Sequence, residues 1–345
     1  MPHTIAKQPI NTLAIDLAKN NFHVHGADLL GRKLISKALT RKRLVPFIAN
    51  LPVCTIVMEA CAGANYFARR FVAMGHSVKL IAPQFVKPYV KSNKNDAADA
   101  QAICEAASRP DMRFVTPKDI AQQDIQSVHR ARSLTVAQRT ALSNQIRGLL
   151  AEYGVIIPVG LASLRRAIPR ALEDAENELT PLFRELLSHL YESLCLFDDR
   201  AAYYTEKINQ IAKQDERCKR LQTIPGIGPI VSTALVATLG DGHAFANGRE
   251  AAAYLGLVPR QHSTGGKPTL LGISKRGDVY LRSLLIHGGR AVVQHAEKYD
   301  DYRSRWIQAL VNRRNMNVAA VAVANKNVRI AWHLLQHETT YQLSA

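Results

Sequence analysis

Two hydrophobic periodicities divide this 345-residue chain. From residue 11 to about 108, short apolar runs alternate with stretches of helical spacing. "TLAIDLA", "NFHVHGADL" and "GRKLISKAL" follow one another closely and predict a three-stranded meander. "RKRLVPFIANL" predicts a short helix, "CTIVMEA" a buried strand of β-branched residues, and "GANYFARRFVAMG" an amphipathic helix stopping at Gly75. "SVKLIAP" is a fifth strand closed by Pro83, and a helix starts at "NDAADAQAIC". The order β-β-β-α-β-α-β-α predicts an α/β sheet with an antiparallel meander on one side and crossover helices elsewhere.

The period then changes. "DIAQQDIQSVHRARSLTVAQRTALSNQIRGLLAEY" and "TPLFRELLSHLYESLCLFDDRAAYYTEKINQIAKQ" contain almost no glycine or proline, and their apolar positions recur at helical spacing. They predict two long helices forming an antiparallel or an intermolecular coiled coil, with Gly154, Pro158, Gly160 and Pro169 in the break between them. From about residue 221 the pattern is helical again but punctuated by glycine. The predicted division is 1–118 α/β, 119–220 coiled-coil helices, and 221–345 a helical C-terminal domain.

Charge narrows the partner class. The 45 Lys+Arg against 28 Asp+Glu give +17, and from Leu257 onward basic residues outnumber acidic ones thirteen to five. Such an excess favours an anionic partner, nucleic acid being the commonest. No apolar run is long enough for a membrane span and nothing resembles a signal peptide, so no membrane partner and a cytoplasmic, nucleoid-associated protein are expected. The five cysteines form no C-x-x-C pair and are expected to be reduced thiols, with no zinc ribbon or disulfide frame.

The candidate chemistry starts with acids. Asp16 is the lone acid of the first strand, Glu59 ends the fourth, and Asp96 and Asp99 open the helix after the fifth, preceded by Lys87, Lys91 and Lys94. One reading of the aspartates is helix capping. The other is a metal site. If the strands holding Asp16 and Glu59 are neighbours, the helical spacing of three turns Asp96 and Asp99 toward them. Four hard oxygen donors suit Mg²⁺, and two such ions would clamp the attacking and leaving oxygens of phosphoryl transfer. This layout resembles the RuvC-like branch of the ribonuclease H superfamily. Ala18, two residues after Asp16, departs from the Asp-x-Glu of four-acid exonucleases.

Two further motifs concern DNA. "IPGIGP" resembles a helix-hairpin-helix, whose Gly226 and Gly228 would let backbone N–H groups approach a phosphate. An ordinary helix-helix turn is the plainer alternative. "GLVPRQHSTGGKPTLLGISKRGD" predicts an exposed, shaped loop, not a P-loop, since Gln261 and Pro268 stand where glycine and Ser/Thr are needed. Ser263 has Arg260, Lys267, Lys275, Arg276 and Arg282 nearby in sequence, a possible cradle for a pentacovalent phosphate. A phosphate-contacting loop without a nucleophile fits the same residues. His262 is adjacent but would point away as a base.

Taken in order, "AIDLAKN", "IVMEACAG", "NKNDAADA", "IPGIGP" and "GLVPRQHSTGGK…GISKRGDVYLR" resemble the insertion sequence 110 family of transposases, closest to its 1111 subgroup, with Piv-type DNA invertases as relatives. The resemblance implies a RuvC-like domain with a D-E-D-D tetrad at Asp16, Glu59, Asp96 and Asp99. It also implies a C-terminal serine that forms a covalent phosphoserine link to DNA. Ser263 is the matching position, with Thr264 the alternative when the loop is counted forward from Pro259. Further implications are a composite active site in a homo-oligomer (dimer or tetramer) and a structured noncoding guide RNA that pairs with donor and target DNA. The expected function is excision and insertion of the element itself. The alternatives are a metal-only RuvC-like nuclease or Holliday junction resolvase, and a non-enzymatic DNA- or RNA-binding scaffold.

Overall fold

The computed structural model describes residues 9–91 and 95–342; Lys94 lies outside them. The chain divides into two compact units, Met1–Ile120 and Ala121–Ala345.

The first unit is built on a mixed sheet. Its strands are β1 (Thr12–Asp16), β2 (Asn21–Ala27), β3 (Lys33–Thr40), β4 (Thr55–Glu59), β5 (Ser77–Ile81) and β6 (Phe114–Val115), in the order β3-β2-β1-β4-β5-β6. The helices are α1 (Arg41–Ala49), α2 (Ala64–Val72), the short α3 (Pro83–Val86) and α4 (Asp96–Ala107). β1, β2 and β3 form the expected antiparallel meander, and β1, β4 and β5 run parallel. β6 was not expected. It is two residues long, too short to show a period, and pairs antiparallel with β5.

Strand alternation sorts the sheet into two faces. Leu13 and Ile15 of β1 and Ile56 and Met58 of β4 pack with Leu44 and Ile48 of α1 and Phe67 and Phe71 of α2. Ala14, Val57 and Ile81, of opposite parity, pack with Ala102, Ile103 and Ala106 of α4. Small residues on both sides of this second layer let α4 sit close to the strands.

The second unit contains α5 (Ile120–Ala151), α6 (Leu161–Glu173), α7 (Pro181–Gln214), α8 (Glu216–Gln222), α9 (Pro229–Leu239), α10 (Gly248–Tyr254), the hairpin β7 (Pro259–Gln261) and β8 (Leu270–Ile273), α11 (Val279–His295), α12 (Tyr302–Arg313) and α13 (Met316–His337). On α7, buried Leu187, Leu194, Ala201 and Ile208 recur every seven residues, the spacing of a coiled-coil seam. Leu187 and Leu194 pack in one cluster with Leu142, Ile146 and Leu150 of α5. Arg132 bonds Thr205 at 2.8 Å and Arg139 pairs with Asp198 at 2.9 Å. Early residues of one helix thus meet late residues of the other, so the pair is antiparallel within the chain. The break expected between the long helices is itself helical. Pro169 lies inside α6, and Arg165 of α6 bonds Asp198 at 2.6 Å.

A buried polar relay ties this unit together. Thr233 Oγ1 donates to the Pro229 carbonyl at 2.7 Å, so it accepts from His129 Nε2, at 3.0 Å. His129 Nδ1 is then an acceptor for the Tyr280 hydroxyl, also at 3.0 Å, and Arg132 donates to Tyr280 in turn. Burial, and secondarily Arg132, pushes the His129 pKa down to about 4.

Candidate active site

β1 and β4 are parallel neighbours with Ile15 opposite Met58, so Asp16 and Glu59 end adjacent strands side by side. Both share the parity of Ala14 and Val57 and therefore face the α4 side of the sheet. Cys61 reports the same proximity. Its thiol pKa is raised by partial desolvation first, then by the Glu59 and Asp16 carboxylates together.

Asp96 and Asp99 occupy the first turn of α4, which packs on β1, β2 and β4. Capping does not require them. The residue before the helix, Asn95, accepts the Ala98 N–H on its side chain at 2.8 Å. Asp96 is exposed and Asp99 half-buried. Lys91, expected to draw in phosphate, pairs with Glu105 at 2.9 Å. The donor set is hard oxygen and suits a divalent cation. Among the described residues, no three histidine, cysteine or acidic side chains stand close enough together to hold a metal ion. The structure thus brings Asp16 and Glu59 together on the sheet face that α4 covers and puts Asp96 and Asp99 in the first turn of that helix, without closing the four into a chelate.

Ser263 lies in the β7–β8 hairpin. Gly265 and Gly266 both take positive φ, 56° and 75°, which makes the Thr264–Lys267 connection the two-residue turn suited to a tight hairpin. Every residue from Pro259 to Gly272 is exposed. Ser263 Oγ accepts from Gln261 Nε2 at 2.8 Å and from the Thr269 N–H at 3.3 Å. The two donors hold the hydroxyl oxygen in place on the hairpin. The sequence reading passed over these donors, although Gln261 and Ser263 alternate onto one strand face. Thr264 helps form the turn, its carbonyl accepting the Lys267 N–H. The His262 backbone N–H bonds the Thr269 carbonyl across the hairpin.

The cationic surroundings are smaller than the sequence implied. Arg260, Lys267, Lys275 and Arg276 are exposed. Arg282 is not part of a phosphate cradle. It is buried and donates to the carbonyls of Leu255 and Arg276, locking the base of the hairpin.

In "IPGIGP", α8, a short turn and α9 follow one another. Gly226 has φ +86°, and a Cβ there would meet the Gly288 carbonyl of α11 at 2.7 Å. Its glycine is thus demanded by packing, not by the approach of a ligand. Gly228 is the open one. It is exposed, nothing lies within 4 Å of its Cβ position, and it precedes α9, which has no side-chain cap.

A mixed sheet with acids on its strand ends and a first-turn acid pair is consistent with a DEDD nuclease-like domain. The profile of the DEDD transposases of IS110 type, described as "Transposase", matches residues 13–155, and that described as "Transposase IS116/IS110/IS902 family" matches 218–304. The chain belongs to the IS110/IS116/IS902 family of transposases. It is 47% identical over 336 residues to the transposase for insertion sequence element IS1111A of Coxiella burnetii, covering 97% of this chain and 92% of that one. A probable family 20 transposase of Pseudomonas aeruginosa is 49% identical over 96% of this chain and 99% of its own. The transposase for insertion sequence element IS1328 of Yersinia enterocolitica is 43% identical over 96% and 98%. Transposases of this family are enzymes acting on DNA, and the DEDD family implies dependence on a divalent metal. Among the described residues no helix is long and apolar enough to cross a membrane.

Proposed function

We propose that this transposase excises and inserts its own element by Mg²⁺-dependent strand cleavage and rejoining through a covalent phosphoserine. The observation that carries the reading is that Asp16 and Glu59 share the sheet face covered by α4, in whose first turn Asn95 leaves Asp96 and Asp99 free of capping duty. Those four carboxylates would hold the metal, which when bound supplies Lewis-acid stabilisation of the reacting phosphate oxygens. Ser263 Oγ attacks a phosphodiester, a P–Oγ bond forms and the strand oxygen leaves. Attack by another strand's hydroxyl reverses the step, so rejoining needs no hydrolysis. The donors on Ser263 from Gln261 and Thr269 support the nucleophile assignment. The proton acceptor comes from outside the hairpin. Exposed Arg260, Lys267, Lys275 and Arg276 contact DNA phosphates, and Gly228 offers another at the start of α9. A structured noncoding guide RNA and a homo-oligomer, dimer or tetramer, complete the proposal on the strength of the family resemblance.

The test mixes protein, the RNA flanking its element, Mg²⁺ and labelled donor and target DNA, then denatures with detergent. Label should remain on the wild-type protein and on Thr264→Ala and be absent from Ser263→Ala. Cleavage without any adduct would leave a metal-only nuclease and overturn the mechanism. Reaction unchanged without the RNA would remove the guide.

A further inference from the structure

A groove of about 1470 Å³ runs along α13, walled on one side by Pro259, Leu271 and Ile273 of the β7–β8 hairpin. Its volume exceeds the roughly 300–1,000 Å³ of a small-molecule pocket, so it suits a stretch of polymer. Arg249, Lys326 and Arg329 line it, and among the described residues no acidic one does. Lys326 sits 4.4 Å from the Trp306 ring centroid; burial, Arg303 and Arg329 all lower its pKa. Behind it Arg303 is 5% exposed, its guanidinium over the ring of Tyr341, which lines the groove. Two of its nitrogens, Nε and Nη1, are buried without a hydrogen-bond partner. Four cations, Arg249, Arg303, Lys326 and Arg329, lie in or behind this groove, and none of them is paired with a carboxylate among the described residues. Such a cluster calls for an anion.

The amides indicate the same ligand. Asn247, Asn315 and Asn317 line the groove and have their side-chain carbonyls occupied by Glu250 N, Val318 N and Arg290, so the group each has left to offer is its NH₂ donor. A rim of donors and cations suits a ligand rich in acceptors. The apolar floor and Trp306 suit flat faces, which bases offer only when unpaired. We propose that this groove holds an unpaired DNA strand beside Ser263. Continuity of its wall with the Ser263 hairpin assigns the strand to the DNA being cut or joined there, so the inference rests on the function proposed above.

Both tryptophans of the chain, Trp306 and Trp332, line the groove, so intrinsic fluorescence reads its occupancy. The full chain is titrated at low salt with a single-stranded DNA oligonucleotide, its duplex and the matching RNA. Fluorescein-labelled copies are followed by anisotropy in parallel. Single-stranded DNA should quench tryptophan emission most strongly, and Trp306→Phe should remove the larger share of the signal. Lys326→Ala with Arg329→Ala should raise the single-strand Kd roughly tenfold or more. It should also flatten the log Kd against log salt slope by about 1.4, two single-strand phosphate contacts, at an unchanged thermal midpoint. Anisotropy that rises while tryptophan emission stays still would overturn the groove as the site. Equal quenching by duplex would overturn the unpaired strand, tighter quenching by RNA would make the occupant RNA, and quenching by protein concentration alone would make it a second copy. Were no oligonucleotide bound by anisotropy, the DNA reading of Ser263 would fall as well.

Discussion

Asn95 shows how much one side chain changes the meaning of its neighbours. Because it already accepts the Ala98 N–H, Asn95→Ala should cost about 1 kcal/mol in urea unfolding. Asp99→Asn should stay within about 0.5 kcal/mol while abolishing metal-dependent cleavage. Equal losses from both would return the aspartates to capping. The sequence singled out Asp16 and Glu59 because an acid in an apolar strand is conspicuous, and Asp96 and Asp99 by their helical spacing of three. It left open which residue caps α4, because asparagine and aspartate both do so and only the backbone at Asn95 decides. His129 was not legible at all, being one polar residue in a long helix. Its ring titrates near 4 when folded and near 6.5 when unfolded. Between those values the unfolded chain binds the extra proton, so stability falls as pH drops from about 6.5 to about 4. The full effect is about 3 kcal/mol. His129→Gln should flatten that part of the unfolding-stability profile relative to wild type, and identical pH slopes would exclude the buried neutral ring.

At the scale of elements, periodicity carried most of the fold. The meander, the crossover helices and both long helices follow from residue spacing. β6 and α6 do not, one too short for a period and the other hidden by Gly160 before it and Pro169 within it. The seven-residue seam of α7 makes Leu194, fully buried against α5, a place to test the antiparallel pair. Leu194→Ala should lower unfolding stability by about 2–5 kcal/mol. The glycines of "IPGIGP" show where motif reasoning stops. A Cβ on Gly288 would lie 2.1 Å from the Gly226 carbonyl, so Gly288→Ala should destabilise by more than about 2 kcal/mol. Gly228→Ala should leave the melting temperature alone and weaken DNA binding. Motif spacing named Gly226 and Gly228 together, but only the packing of α11 separates their roles.

For the molecule as a whole, charge was the most legible property and the least specific. A net +17 supports many phosphate contacts without saying which residues make them. Duplex affinity should therefore fall on the order of a thousandfold between about 50 and 200 mM salt, as six or more contacts require. A shallow slope in filter binding would show that the basic surface is largely idle. The sequence also hid the division of labour within that charge. Arg282 and Arg303 count toward the total yet are buried, one bracing the hairpin and the other set behind the groove.

The contact between Gly226 and Gly288 has a metrical side. α11 starts six residues after β8 ends and carries Gly288, onto which the turn before α9 is seated. From Val279 to Gly288 a helix advances about 14 Å, close to four phosphate steps along one DNA strand. If Gly228 grips one phosphate and Ser263 attacks another, α11 is the ruler between them. Inserting one helical turn between Val279 and Gly288 would then move the cut relative to the gripped phosphate by one to two nucleotides, at a distance set by no residue that touches DNA.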